Sequence, residues 1–262
     1  MKTHERREAI YSYISAKKTV KIAELKELFQ VSEVTLRSDL EFLAKQGGIE
    51  RSHGGAVFVD NSSPEEGILP NTPLLDAKIA IAKRAAELIV PGDTLFLDSS
   101  ATSVVLASQL SPNANITVIT NCLPIINLLK MAPGIHLYAI PGSYNSSTSS
   151  FNGPLGETFI GNLKTSKAFI SPKGIIVEGL RDLTADEAAI RKAMIESTKE
   201  AILLADHSKF NNIKVLFPIS DFSRISIIVT DKTPDKQFLD IFNMKNISLI
   251  VADAGQLQEV NY

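Results

Sequence analysis

From residue 94 onward the chain repeats one pattern, a short apolar run followed by a helical segment. Apolar runs stand at Thr94–Leu97, Ile116–Ile119, His136–Ile140, Ala168–Ile170, Ala201–Ala205, Ile225–Val229 and Ile247–Val251. Helical segments separate most of them, notably 102–110, 123–131 and 185–199, and an alanine-rich amphipathic helix over 76–90 (DAKIAIAKRAAELIV) precedes the first and stops at Pro91-Gly92. Continuous apolar runs separated by helices predict a largely parallel sheet covered on both faces. Ligands in such sheets bind outside the carboxyl ends of the strands. The residues there are Asp98-Ser99-Ser100-Ala101-Thr102, Thr120-Asn121, Pro141-Gly142, Ser171-Pro172-Lys173-Gly174 and Asp206-His207-Ser208-Lys209. The first group combines hydroxyls with a helix N-terminus, a natural anion cradle. Lys173 and Lys209 add positive charge, and Asp98 and Asp206 can accept sugar hydroxyls.

The first sixty residues obey a different rule. Glu5 to about Lys17 reads as a helix with Ile10, Tyr13 and Ile14 on one face. Thr19-Val20-Lys21 is short and extended, and Ile22, Leu25 and Phe29 mark a second helix near 22–30. Gln30-Val31 makes a tight turn, and Ser32 is a good N-cap for a third helix over about 33–46, with Glu33 near its positive end. At 100° per residue Leu36, Leu40 and Leu43 form its buried stripe. Ser38 lies opposite, flanked by Val34 and Thr35, with Arg37 on the shoulder. That small, polar outer face suits a helix entering a major groove, and the pair of helices joined by a tight turn, about 20–39, is a helix-turn-helix skeleton. Beyond it, Gly54-Gly55 supplies a turn between two β-prone arms, a hairpin wing that can carry Arg51 and His53 to phosphate or minor groove.

A chain of 262 residues accommodates two domains, expected here as 1–59 and 76–262 joined by a turn-rich linker over 60–75. The opening MKTHERREAI has no apolar run behind it and no stretch approaches the length of a membrane helix, so a soluble cytoplasmic protein without a signal peptide is expected. A single cysteine, Cys122, excludes a disulfide framework within one chain and a multi-cysteine zinc site. Charge gives no pointer to nucleic acid: the net charge is −2, and residues 1–60 hold 10 Lys and Arg against 9 Asp and Glu.

The stretch VSEVTLRSDLEFLAKQGGIERSHGGA resembles the DeoR-type signature, roughly V-S-x-x-T-[IL]-R-x-D-L-x-x-L and then R-x-H-G-G-A. Residues of about 76–231 resemble the DeoR-family sensor domain through Lys78-Ile79-Ala80-Ile81-Ala82, Leu97-Asp98-Ser99, Val118-Ile119-Thr120-Asn121, Gly179 before Asp186-Glu187-Ala188, Met194, and Asp206 with Ser208-Lys209-Phe210. The overall cast, including Ser150-Phe151 and Gly153, is closest to repressors of amino-sugar and galactitol operons. The resemblance implies a winged helix-turn-helix followed by a mostly parallel α/β sensor domain of ribose-5-phosphate isomerase-like type. It further implies a repressor of a sugar or sugar-alcohol operon, bound as a dimer or tetramer to double-stranded operator DNA and released by a phosphorylated sugar or sugar alcohol. The DNA-contacting set is then Ser32, Val34, Thr35, Arg37, Ser38, Arg51, His53, Gly54 and Gly55. The effector set is Asp98, Ser99, Ser100, Thr102, Thr120, Asn121, Gly142, Lys173, Arg181, Glu187, Asp206 and Lys209.

Five departures stand out. Ser38 replaces a second arginine of the signature, Ser100 a glycine of D-S-G-T-T, and Pro141 the first glycine of G-G. Ser171-Pro172-Lys173 replaces a glycine-containing strand end, and Arg181-Asp182 replaces small polar residues. They predict a retuned effector held more by side chains, or a scaffold whose sensing is lost. The isomerase-like fold raises catalysis, for which Asp98, Glu187 or Asp206 could serve as base. Yet the histidines at 4, 53, 136 and 207 are scattered, no phosphate-binding Gly-Lys-Ser/Thr loop occurs, and no catalytic residue, metal or cofactor is expected.

Overall fold

The computed structural model describes residues 3–17, 19–46, 49–52, 54–58 and 72–252. The chain forms two compact units, Met1–Asn71 and Thr72–Tyr262. Most of the connector expected over 60–75 lies outside the described residues, and Thr72 onward belongs to the second unit.

The first unit comprises α1 (Thr3–Lys17), β1 (Thr19–Lys21), α2 (Ile22–Phe29), α3 (Glu33–Gln46), β2 (Ile49–Ser52) and β3 (Gly55–Phe58). Ile10, Ile14, Leu25, Leu36, Leu40 and Leu43, the periodic positions of the three helices, meet Val20, Ile49 and Ala56 in one core. Each Leu or Ile so buried contributes about 1.5–3 kcal/mol. Gln30 ends α2 in the left-handed conformation (φ 52°), its N–H donating to the Lys26 carbonyl. The Ser32 hydroxyl accepts from the Thr35 N–H at 3.2 Å, which caps α3. β1, β3 and β2 form an antiparallel sheet in that order. The wing's turn is shifted by one residue from expectation. Gly54 (φ +94°) is in the turn, whereas Gly55 pairs with both Ser52 and Lys21 inside the sheet. A Cβ at Gly55 would stand 2.0 Å from the Val20 carbonyl oxygen, so close strand approach requires this glycine.

The second unit is built on seven strands: β4 (Thr94–Leu97), β5 (Ile116–Thr120), β6 (Ile135–Ala139), β9 (Thr165–Ile170), β12 (Thr198–Ala205), β14 (Ile225–Thr230) and β15 (Ser248–Val251). Their order is β15-β14-β12-β9-β4-β5-β6, and every pairing is parallel. Phe96, Ala168, Ile170, Ala201 and Leu203 share a cluster with helices α7 (Pro154–Gly161), α8 (Ala185–Glu196) and α9 (Lys236–Met244). The alternate positions Leu95, Leu97, Phe169, Ile202 and Leu204 are equally buried. They lie on the face covered by α4 (Leu75–Ala86) and α5 (Ala101–Ser108). Burial on both faces is why these strands read as unbroken apolar runs. The remaining elements are α6 (Leu123–Leu129), a hairpin of β7 (Ser143–Asn145) and β8 (Ser150–Asn152), and a small antiparallel sheet of β10 (Gly174–Ile176), β11 (Gly179–Asp182) and β13 (Phe217–Ser220).

All four helices expected in this unit end early, by two to four residues. α4 ends at Ala86 rather than 90, closing in tighter turns that link Leu88 to Ala85 and Ile89 to Ala86. α8 ends at Glu196 because Thr198 is drawn into β12 beside Thr165. Among the described residues, no helix is long and apolar enough to cross a membrane.

Candidate functional site

In the first unit the outer face of α3 is open to solvent. Val34 is 79% exposed and presents its methyl groups to solvent. Ser38 is also exposed, and the Arg37 guanidinium is tied to Glu33 one turn earlier (2.6 Å). The Ser32 hydroxyl is engaged in the cap, with Thr35 Oγ1 2.8 Å away. The inner end of the helix is anchored by Asp39, fully buried, which accepts from Arg6 and Arg7 of α1 at 2.7 Å each. Burial raises the Asp39 carboxyl, but the two guanidinium groups outweigh it and hold it below the usual range. Arg7 also stacks over the Phe42 ring at 3.9 Å. This clamp fixes how α3 is presented. His53 lies outside the described residues, as does the Arg51 side chain.

In the second unit the strand order reverses direction beside β4. The chain proceeds to β5 and β6 on one side, and later to β9, β12, β14 and β15 on the other. The switch point therefore lies between β4 and β9, where the connections diverge and leave a crevice at the carboxyl ends. A cavity of about 280 Å³ opens there. Ser100, Ala101 and Thr102 at the start of α5 form one wall, and Ser171 and Lys173 follow β9. Asp206, Ser208 and Lys209 follow β12; Lys78 and residues Thr72 to Leu74 complete the lining.

The charges of this cavity do not balance. Lys78 donates to Asp206 at 2.9 Å, and both are buried. Lys173 and Lys209 have no ion-pair partner among the described residues, so three lysines face one carboxylate. Burial lowers the Lys209 pKa; Asp206 opposes this, while Lys173 and Lys78 lower it further. The loop carrying Lys209 is fixed by carboxylates: Asp206 accepts from the Ser208 N–H at 3.1 Å, and Asp231 accepts from the His207 N–H at 2.6 Å. At α5, the Ser100 hydroxyl caps Ser103 N–H (3.1 Å) and donates to Asp98 (2.6 Å). The N–H groups of Ala101 and Thr102, in the first helical turn, have no intrahelical acceptor. Ser100, where the resemblance led one to expect glycine, thus turns its hydroxyl into the fold.

Beside the cavity is a second, self-contained polar cluster. Arg191 of α8, 1% exposed, donates to Asp98 (2.7 Å), Asp182 (2.8 Å) and Glu187 (2.8 Å). Ser99, Ser150 and Asn152 also donate to Glu187, at 2.7, 2.7 and 2.8 Å. Burial raises the Glu187 carboxyl, but Arg191 and these donors outweigh it and hold it at about 2. Asp182 is shifted up, its burial exceeding the help from Arg191.

Of the twelve expected effector residues, the structure brings Ser100, Thr102, Lys173, Asp206 and Lys209 together around the cavity. Asp98, Ser99 and Glu187 are in the Arg191 cluster. Thr120 accepts from the Cys122 N–H (3.1 Å), and Asn121 donates to Asn152 and the Phe151 carbonyl (both 3.1 Å). Gly142 backs onto Asn152, where a Cβ would come within 2.6 Å of its carbonyl oxygen. Arg181 is on β11, bonded to the Leu216 carbonyl at 3.0 Å, and does not line the cavity. Sequence reasoning missed Lys78 and Arg191 as site residues. The only available signal for Arg191 was its i, i+4 spacing from Glu187. Among the described residues, no group of three or more His, Cys, Asp or Glu is placed to hold a metal ion.

Family comparison agrees with this division of labour. Residues 6–62 match the DeoR-like helix-turn-helix domain, and residues 75–232 match the DeoR C-terminal sensor domain. The chain belongs to the DeoR family. As a DeoR member with this head it is a DNA-binding transcriptional regulator. The transcriptional repressor AccR of Agrobacterium fabrum is 34% identical, the match covering 87% of this chain and 90% of that protein. The regulator IolR of Bacillus subtilis is 32% identical over 92% of this chain and 96% of its own. A putative aga operon transcriptional repressor of Escherichia coli O157:H7 is 34% identical over 88% and 87%. Among solved structures, ribose 5-phosphate isomerase A of Methanocaldococcus jannaschii overlaps 52% of this chain and 54% of its own (TM-score 0.37, 16% identity).

Proposed function

We propose that this DeoR regulator represses a sugar or sugar-alcohol operon and is released by a phosphorylated sugar or sugar alcohol held in the switch-point cavity. The observation that carries the reading is the cavity's charge. Three lysines against one carboxylate leave two positive charges beside the free N–H groups of α5. A phosphate monoester carries about −1.5 to −2 at pH 7 and matches both the charge and the donors. Asp206 and Ser208 at the same mouth can take the hydroxyls of the ligand's carbon chain.

The α3 face, with Val34, Thr35, Arg37 and Ser38, reads operator bases, supported by the wing. One recognition helix spans few base pairs, so a homo-oligomer reading repeated half-sites supplies the specificity. Catalysis is disfavoured by the Arg191 cluster. A carboxylate with a pKa of about 2 that already accepts four hydrogen bonds is a poor general base. The test is thermal unfolding against a panel of sugar and sugar-alcohol phosphates, followed by operator release measured by fluorescence anisotropy. At a concentration of 100 Kd a ligand stabilises by about 2.7 kcal/mol, a rise of about 5–11 °C for a domain of this size. Selective stabilisation coupled to operator release is expected. Operator binding with no response to any phosphorylated compound would refute the effector reading and favour a scaffold that senses nothing.

A further inference from the structure

The cavity has one wall unlike the others. Thr72, Pro73 and Leu74 line it, and these are the first residues of the second unit, directly continuous with the chain leading to the DNA-reading head. They are held by one side chain. Lys78 Nζ donates to the Pro73 carbonyl at 2.7 Å and to Asp206 Oδ2 at 2.9 Å, and the lysine is 6% exposed. Leu74, which caps α4, sits at φ 57°, ψ 41°. The left-handed region is strained for a non-glycine residue, and such a conformation persists only where surrounding contacts impose it.

We infer that Lys78 is a positioning residue that couples occupancy of the anion cavity to the segment Thr72–Leu74, and through it to the DNA-binding head. This rests on the anion-binding reading above. An ammonium has three N–H donors, and two of the three in Lys78 are committed to Pro73 and Asp206. An anion in the cavity engages the third and draws Nζ away from the weaker of its acceptors, the neutral carbonyl. The tie to Asp206 survives because a charged acceptor binds more strongly. Losing the Pro73 contact lets the strained Leu74 cap relax and changes how the chain leaves the sensor unit. The effector thus has a differential contact in the two states, which any ligand-driven shift requires.

The chain contains no tryptophan, so Thr72→Trp in the full-length protein gives a single reporter on this wall. Inorganic phosphate is the probe, followed by tryptophan emission and by Tm. It is compared between the reporter alone and the reporter combined with Lys78→Gln and Asp206→Asn. The paired change leaves no orphaned buried charge, keeps an N-capping residue at 206 and retains Lys173 and Lys209. Phosphate is expected to raise Tm in both proteins, with weaker half-saturation in the paired variant, which lacks one donor to the anion. At saturation it should shift emission only where Lys78 is present, with the half-saturation seen there by Tm. An emission shift of equal size in both would overturn the coupling role of Lys78. So would stabilisation of the Lys78 protein with no emission change. Absence of any phosphate stabilisation in the full-length protein without the reporter would instead overturn the anion-binding reading, and this inference with it.

Discussion

Replacing Arg191 by Met should destabilise the sensor unit more than any surface substitution, and the loss should shrink as pH falls. Arg191 is 1% exposed and is shared by Asp98, Asp182 and Glu187. Removing one partner of a buried ion pair costs about 3–5 kcal/mol, because the remaining charge is left uncompensated. Glu187, in its whole environment of Arg191 together with three hydrogen bonds, has a linkage of the same order. Its pKa falls from 4.5 to about 2 in the folded protein, and at 1.36 kcal/mol per pH unit this is worth about 3 kcal/mol. For the 191 residues of this unit a loss of 3–5 kcal/mol lowers Tm by about 6–20 °C. The pH dependence has opposite signs in the two proteins. In the wild type Glu187 has a depressed folded pKa, so its stabilisation is present above 4.5 and lost as pH falls toward about 2. Without Arg191, the burial that already raises the Asp182 carboxyl loses its main opposition, and protonation of Asp182 then favours the folded state. Thermal unfolding by circular dichroism between pH 4.5 and 8 should show the Tm gap narrowing toward acid. A loss below about 1 kcal/mol, or a gap constant with pH, would refute the account of Arg191 as the counter-ion of three carboxylates.

Two further outcomes follow from the cavity and from α3. Lys209→Met should raise the Tm of the free protein and abolish stabilisation by phosphate compounds. The wild-type Lys209 pKa is lowered, so the fold bears the cost of its charge below that pKa and sheds it as pH rises toward 10.5. The variant's advantage should accordingly fade at alkaline pH; a variant less stable than wild type at pH 7 would contradict this. Val34, at 79% exposure, should read a thymine methyl. In an operator selected from random duplexes, replacing that thymine by deoxyuridine removes one methyl, worth about 0.8 kcal/mol or about fourfold in Kd. Val34→Ala should lose sensitivity to the replacement, and retention of the full effect in the variant would exclude the contact.

The features legible in the sequence were those set by local periodicity. Leu36, Leu40 and Leu43 announce their shared face because helix geometry alone brings them together, and the runs around Phe96, Phe169 and Leu203 announce strands buried on both sides. Helix ends were less legible, since Thr198 is compatible with the end of α8 until its pairing with Thr165 claims it for β12. α7 holds a proline and two glycines within eight residues and so reads as loop, whereas no such obstacle hides α9, whose Phe238 and Phe242 stand at helical spacing. Lys78 and Arg191 were hidden for a stronger reason. A charged residue within a helix reads as solvent-facing, and only tertiary structure can bring Lys78 to Asp206, 128 positions away, or Arg191 to Asp98, 93 positions away.

That hidden half also decides which of the expected polar residues are available to a ligand. In the sequence Asp98, Glu187, Asp206 and Lys209 are equivalent candidates for the effector set. The structure separates them by charge compensation. Around Arg191 each carboxylate oxygen that faces the guanidinium has a donor, and serines and an asparagine occupy other lone pairs of Asp98 and Glu187. A ligand binding there would have to break bonds that hold α8 to β4 and β11. Across the switch point Lys173 and Lys209 lack ion-pair partners among the described residues, and the burial that lowers the Lys209 pKa is a cost an anion relieves. Ligand binding is most favourable where it completes an unfinished set of interactions rather than replaces a finished one. On this ground the two polar groups differ in kind: the Arg191 cluster holds α8 to β4 and β11, and the lysine cavity beside it is the site proposed to respond to an anion.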